Sequence, residues 1–126
     1  MKRMLIVEDD YLTRKVFGRL FKDEFEVDYC DSWEEYYNSY NQVMYDIIIM
    51  DVSLKGSKSG LELIHSIKSD PHKKQTPIIC LTAHAFAKDR TNAMDSGADM
   101  FLTKPVMNET LIDAVKLLSK EKSNKI

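Results

Sequence analysis

Five apolar runs, each too short to make a substantial helix, are separated along this chain by segments long enough to hold one. The runs fall at residues 3–7, 26–30, 47–50, 78–82 and 100–103, and the intervening stretches repeat apolar residues at helical spacing. Five βα units follow from that alternation. Connections of this length exclude antiparallel hairpins, and the unbroken apolar runs at 47–50 and 78–81 suit strands buried on both faces, so a parallel sheet is predicted. Right-handed crossovers with helices on both faces then lead to a doubly wound α/β sandwich of strand order 2-1-3-4-5. Its switch point lies between the first and third strands.

The helical segments can be read individually. Leu12, Val16 and Leu20 recur every four residues beside Phe17 and Phe21, with Arg14, Lys15 and Arg19 opposite, so the first helix is expected to lay one face on the sheet. Ser32 and Glu35 have the spacing of a capping box, which starts the second helix at Trp33 and carries it through Tyr36, Tyr37 and Tyr40. The third begins near Gly60, buries Leu61, Ile64 and Ile67, and stops before Pro71 because Asp70 is pushed out of helical dihedrals. Residues 85–96 are rich in small side chains with Phe86 and Met94 as the large anchors, which predicts a loosely packed fourth helix capped by Gly97. The fifth takes Asn108 as N-cap, presents Leu111, Ile112, Val115 and Leu118, and frays from Ser119 to Ile126. Residues 3–120 are expected to form one domain and 121–126 a frayed tail.

Composition removes several classes of function. With 126 residues the chain fits a single domain that buries roughly two-thirds of its unfolded surface. Its 18 basic and 20 acidic residues leave a net charge of −2, and no basic cluster interleaved with aromatics marks a nucleic-acid groove. Lys116, Lys120, Lys122 and Lys125 read as a solvated helix end. Cys30 and Cys80 fall inside strands and read as small core residues of a protein kept in a reducing cytoplasm. The apolar run after Met1-Lys2-Arg3 is too short for a signal peptide, and no stretch reaches transmembrane length. A soluble, cytoplasmic monomer is expected. His65 and His72 have no Cys or Glu at zinc-ligand spacing.

What distinguishes the strands is how they end. The first runs into Glu8 and Asp9, the third into Asp51, the fourth into Thr82 and the fifth into Lys104. Taken singly, each acid reads as a helix cap or a loop residue. Together, on parallel strands, they line one edge of the sheet, and Glu8, Asp9 and Asp51 meet at the switch point where open α/β sheets bind ligands. At about 5 Å and an effective dielectric of about 20, each pair of these carboxylates repels by roughly 3 kcal/mol, so a cation belongs among them. Hard oxygen donors of this kind suit Mg²⁺. An ionised Asp51 beside such an ion is a competent nucleophile toward phosphorus, Thr82 can hydrogen-bond a phosphoryl oxygen, and Lys104 can pair with another.

The blocks Leu5-Ile6-Val7-Glu8-Asp9-Asp10, Ile48-Ile49-Met50-Asp51, Leu81-Thr82-Ala83, Gly97-Ala98-Asp99 and Phe101-Leu102-Thr103-Lys104-Pro105 resemble, in order and spacing, the CheY-like receiver domain of two-component response regulators. The resemblance implies a flavodoxin-like (βα)5 fold and phosphorylation of Asp51 by a phosphohistidine on a partner histidine kinase or histidine phosphotransfer protein. It further implies Mg²⁺ held directly by Asp9 and Asp51, through water by Glu8, and by the backbone carbonyl of Ser53. Phe101 matches an aromatic switch position that turns inward as Thr82 moves toward the phosphoryl group, and Lys104-Pro105 matches a bond that is usually cis in the family. The chain departs from the pattern at Lys55, where proline is frequent, at Ser59, where an acid is frequent, and in a loop of residues 56–60 one residue longer than usual. Ser53 and His84 stand where the family tunes loss of the phosphoryl group.

Competing classes fit less well. An aspartyl phosphatase needs a general acid two positions after its nucleophile, where Ser53 stands. FMN binding needs a Ser/Thr/Gly-rich loop after the first strand, where this chain has acids. A receiver-shaped module that signals without phosphorylation typically has lost the acids or the lysine, all of which this chain keeps, so that reading stands as the less favoured alternative. The expected role is therefore that of a stand-alone signalling phosphoprotein, catalysing only its own phosphorylation and dephosphorylation and controlling a downstream protein through the surface around the fourth helix, fifth strand and fifth helix. The alternative is a phosphorelay intermediate that passes the group to a histidine phosphotransfer protein, since the stretch from Leu81 to Arg90 resembles receivers of hybrid kinases.

Overall fold

Strands form where the apolar runs lie: β1 (Lys2–Val7), β2 (Phe25–Cys30), β3 (Ile47–Asp51), β4 (Ile78–Thr82) and β5 (Met100–Thr103). The computed structural model describes residues 1–52, 59–83 and 86–120. All strand pairs are parallel and the order is β2-β1-β3-β4-β5, as expected. Val7 pairs with both Cys30 and Met50, Asp51 with Leu81, and Thr82 with Thr103, so the carboxyl ends align along one edge. The sequence features at Ser53, Lys55, residues 56–58, His84, Ala85 and 121–126 lie outside the described residues.

Period-two alternation divides the core between the faces. Leu5, Val7, Ile48, Met50, Ile78 and Cys80 point to one side. They meet α2 (Trp33–Glu35), which widens into a π-helical turn at Tyr36–Tyr40, together with α3 (Gly60–Ser69) and α4 (Ala87–Ser96). Met4, Ile6, Ile47, Ile49, Ile79 and Leu81 point to the other, against α1 (Tyr11–Phe21) and α5 (Asn108–Lys120). Because β1, β3 and β4 are covered on both faces, they read as unbroken apolar runs. No helix among the described residues is long and apolar enough to cross a membrane.

Several local expectations are corrected. In α1 the buried residues are Phe17, Gly18 and Phe21, while Leu12 is 70 % and Val16 47 % exposed. Ser32 accepts the Glu35 N–H, but the Glu35 carboxylate accepts from Asp31 N rather than from Ser32, so only half of that capping box forms. A complete one forms at Ser59 and Glu62, where α3 begins. Leu63 joins Ile64 and Ile67 in the core and Leu61 is only partly covered. Asp70 is extended (ψ 120°) ahead of Pro71, as expected. In α4 Ala93 is the one buried residue, and the supposed anchors Phe86 and Met94 are 70 % and 40 % exposed. Gly97 does close that helix, in the left-handed region at φ 115°. Met107, not Asn108, accepts the first helical bond of α5 through its carbonyl, and Ser119 is buried and helical, its hydroxyl donating to Val115 O. Cys30 and Cys80 are free and buried.

Candidate functional site

The three acids after β1 divide their work. Glu8 N donates to Cys30 O at 2.9 Å, continuing the ladder one residue past the strand and fixing the direction of the Glu8 side chain. Asp10 is the N-cap of α1, accepting from Thr13 N at 2.9 Å and Thr13 Oγ1 at 2.6 Å, and these bonds hold its pKa below the ordinary value. Of the acidic run, only Glu8 and Asp9 therefore face the site. Asp51 ends β3, is 3 % exposed, and comes together with them: one oxygen from each of Glu8, Asp9 and Asp51 lies within 4.8 Å of the others.

Lys104 spans the gap from the far edge of the sheet. Its backbone N–H donates to Thr82 O at 2.8 Å, which extends the β4–β5 pairing, and its Nζ donates to Glu8 Oε1 and to Asp51 Oδ2, each at 3.0 Å. Burial works against the ammonium charge, but the bonds and fields of the two acids outweigh it and raise the Lys104 pKa. Glu8 moves the other way for a carboxyl: burial first, then its interaction with Asp51, raise it from 4.5 to about 7, and Lys104 only partly offsets this. One ammonium among three carboxylates leaves the cluster short of positive charge. Three hard oxygen donors in so small a space match the coordination chemistry of a magnesium-sized ion.

Thr82 is buried one residue beyond the β4 partner of Asp51, and Phe101, on β5 beside Cys80, lines a common cavity with it. The Lys104–Pro105 peptide is cis, as the resemblance implies. Ser53, the remaining expected metal contact, lies outside the described residues.

Two features of the site escaped the sequence reading. Gly60 N donates to Val52 O, and a Cβ on Gly60 would stand 2.5 Å from Asp51 O and 2.6 Å from Val52 Cα, so α3 abuts the backbone that carries Asp51. A glycine at the start of a predicted helix hints at such close approach, but several other causes put glycine there. Leu12 and Val16 line a groove of about 530 Å³ with Pro105 and Val106, and Lys104 forms part of its wall.

A parallel sheet whose switch point gathers acids, with a lysine reaching back to them from the end of the last strand, defines the class of doubly wound α/β domains with an acidic site at the switch point. The chain belongs to the response regulator receiver domain family, whose model matches residues 4–116. It is 32 % identical over 111 residues to the signal transduction histidine-protein kinase BarA of Shigella flexneri, covering 86 % of this chain and 12 % of that one. It is 30 % identical over 116 residues to the phosphate regulon transcriptional regulatory protein PhoB of Klebsiella pneumoniae, covering 91 % of this chain and 50 % of PhoB. The chain thus spans half or less of these relatives. Among solved structures, the receiver domain of a sensor histidine kinase from Pseudomonas aeruginosa PAO1 superposes with a TM-score of 0.83 at 25 % identity, covering 94 % of this chain and 97 % of that one. That domain holds a coordinated magnesium ion in its active-site cleft.

Proposed function

We propose that this protein is a phosphorylation-driven switch: Asp51 accepts a phosphoryl group from a phosphohistidine of a partner kinase or phosphotransfer protein, and the change at Thr82 and Phe101 is read by another protein. The carrying observation is that Lys104 Nζ stands 3.0 Å from both Glu8 and Asp51 while the three carboxylates converge within 4.8 Å. Glu8, Asp9 and Asp51 would hold Mg²⁺, with Ser53 offering its carbonyl. The bound ion supplies neutralising charge for the phosphoryl oxygens. An Asp51 carboxylate oxygen forms the new bond to phosphorus as the bond to the donor histidine nitrogen breaks. Lys104 then pairs with a phosphoryl oxygen, and the Thr82 hydroxyl donates to another. The protein acts on no substrate besides its own phosphoryl group. Two free, buried thiols suit a reducing compartment, and we place the protein in the cytoplasm.

The apolar groove at Leu12 and Val16 supports a docking role for α1, because exposed apolar side chains beside a phosphoacceptor suit a partner that must bring its histidine to Asp51. The test is incubation with a small phosphodonor and Mg²⁺ followed by intact mass spectrometry: one phosphoryl group is expected on the wild type and none on Asp51→Asn. Unmodified wild type, or equal modification of both, overturns the proposal. The likeness to a histidine kinase supports a second reading, in which the group moves on to a histidine phosphotransfer protein. Mixing phosphorylated protein with such a partner separates the two, since a relay transfers label to the partner histidine and a terminal switch releases it to water.

A further inference from the structure

The two ends of α4 are held differently. At the C-terminal end Gly97 N donates to Met94 O and Ala98 N to Ala93 O, the bond pair of a Schellman motif, with Ala93 and Ala98 both buried. The next residue, Asp99, exchanges two bonds with the start of β4: its N–H donates to Ile78 O at 2.9 Å and its Oδ2 accepts from Ile78 N at 2.8 Å. The same Oδ2 accepts from Lys68 Nζ at 2.8 Å. That ammonium, from the last turn of α3, also donates to Thr76 O at 2.7 Å and to Lys74 O at 3.2 Å. Its three donors are thus shared between the connection that follows α3 and the one that follows α4. The Lys68 stem runs against Gly97, where an added Cβ would stand 2.8 Å from Lys68 Cγ.

The N-terminal end has no such fastening among the described residues. Phe86, the N-cap, makes no side-chain bond and is 70 % exposed, and from Phe86 to Asn92 only Asp89 is half-buried. This half meets β5 through Arg90, whose Cζ stands 5.9 Å from the centroid of the Phe101 ring. A cavity of about 70 Å³ lies between Asp89, Ala93 and the residues Thr82 and Phe101, and a groove of about 630 Å³ separates α4 from α3 past Leu61, His65 and Asn92. A helix pinned at one end with free space beside it swings about the pin more readily than it slides, because sliding breaks the charge-assisted bonds of the pin. We propose that Lys68 is the pivot of α4, a positioning residue that fixes the Gly97–Asp99 end to β4 so that a change at Thr82 and Phe101 turns the Ala87–Asn92 half of the helix. The inference rests on the phosphorylation-driven change at Thr82 and Phe101 proposed above. Without the pin, the same change moves α4 as a whole and its two halves are no longer distinguished.

The experiment reads the backbone amides of the isotope-labelled full chain by nuclear magnetic resonance, with beryllofluoride and Mg²⁺ as the mimic of the phosphoryl group. In the wild type the mimic is expected to shift the amides of residues 87–92 and to leave those of Gly97, Ala98 and Asp99 in place. Lys68→Met keeps a stem against Gly97 and removes the ammonium. In that variant hydrogen exchange at Gly97, Ala98 and Asp99 is expected to rise at least about tenfold relative to Ile6 and Ile49 in the central strands, and the shifts to spread over residues 87–99. Asp99→Asn, which keeps an acceptor for Ile78 N should methionine disturb folding, is expected to act the same way by less. Wild-type exchange at the three amides in both variants, or shifts in the wild type as large at those amides as at 87–92, overturns the pivot and leaves the switch standing. Amides of residues 87–103 that the mimic moves in no variant, although mass spectrometry shows Asp51 phosphorylated, overturn the switch and the pivot with it.

Discussion

Glu8 carries a proton balance that folding alters. Its pKa is about 7 in the fold against 4.5 for the ordinary side chain, so the folded protein binds a proton there more tightly than the unfolded chain does. Stability from this group is fully present below about pH 4.5 and is lost as pH rises through about 7. In chelator, the melting temperature is therefore expected to fall between pH 5 and pH 8 by more in the wild type than in Glu8→Gln, and excess Mg²⁺ should abolish the difference. Parallel profiles for the two proteins in chelator would count against the crowded acids. Asp51→Asn should likewise raise the melting temperature of the metal-free protein, because it removes one of three converging negative charges. At Ser53 and His84, a dephosphorylation time course is the relevant measurement: Ser53→Asn and His84→Ala should change the lifetime of the phosphoryl group, and unchanged rates in both would exclude a tuning role.

At the scale of elements, α3 abuts the backbone of Asp51 through Gly60, whereas α4 buries only Ala93 of its own residues. Gly60→Ala should cost about 1–3 kcal/mol through overpacking and also slow phosphorylation, because the added methyl presses on the backbone of Asp51 and Val52. Ser59→Ala removes a cap from the same helix for about 1 kcal/mol, and is expected to leave phosphorylation nearly unchanged. Denaturant melts paired with phosphorylation rates distinguish the two. The strands and their order were legible because β3 and β4 bury every residue of their runs, β1 buries Met4 to Val7, and long connections leave no other pairing. The site was legible because its charged side chains sit at strand ends, where no core demand explains them. The facing of α1 was not: Leu12, Val16 and Leu20 share helical spacing with Phe17 and Phe21, and periodicity alone does not say which of two neighbouring stripes goes inside. The rings went inside, and Leu12 and Val16 were left outward. Leu12→Asp with Val16→Lys should accordingly slow transfer from a phosphohistidine protein at least about tenfold while sparing reaction with a small donor, the loss of a few buried apolar contacts being worth that much. Phe86 and Met94 misled for a related reason, since large apolar residues at an exposed helix attract the label of anchor when Ala93 alone is covered.

For the whole molecule, Cys30 and Cys80 provide a probe of global opening. Burial first pushes both thiols up to about 12, and both are fully covered on the same side of the sheet. Alkylation at neutral pH should therefore proceed only through unfolding, and Mg²⁺ should slow it in step with its effect on the melting temperature. Fast labelling of native protein would contradict a tightly closed core. The strand order also leaves β2 and β5 as borders, and neither invites a neighbour. β2 presents Glu26 and Asp28 with Arg3 laid across them, and β5 has four residues before Pro105 interrupts the chain. Two copies meeting border to border along β2 would set acid against acid, which guards a crowded solution against the runaway stacking that open sheets otherwise risk.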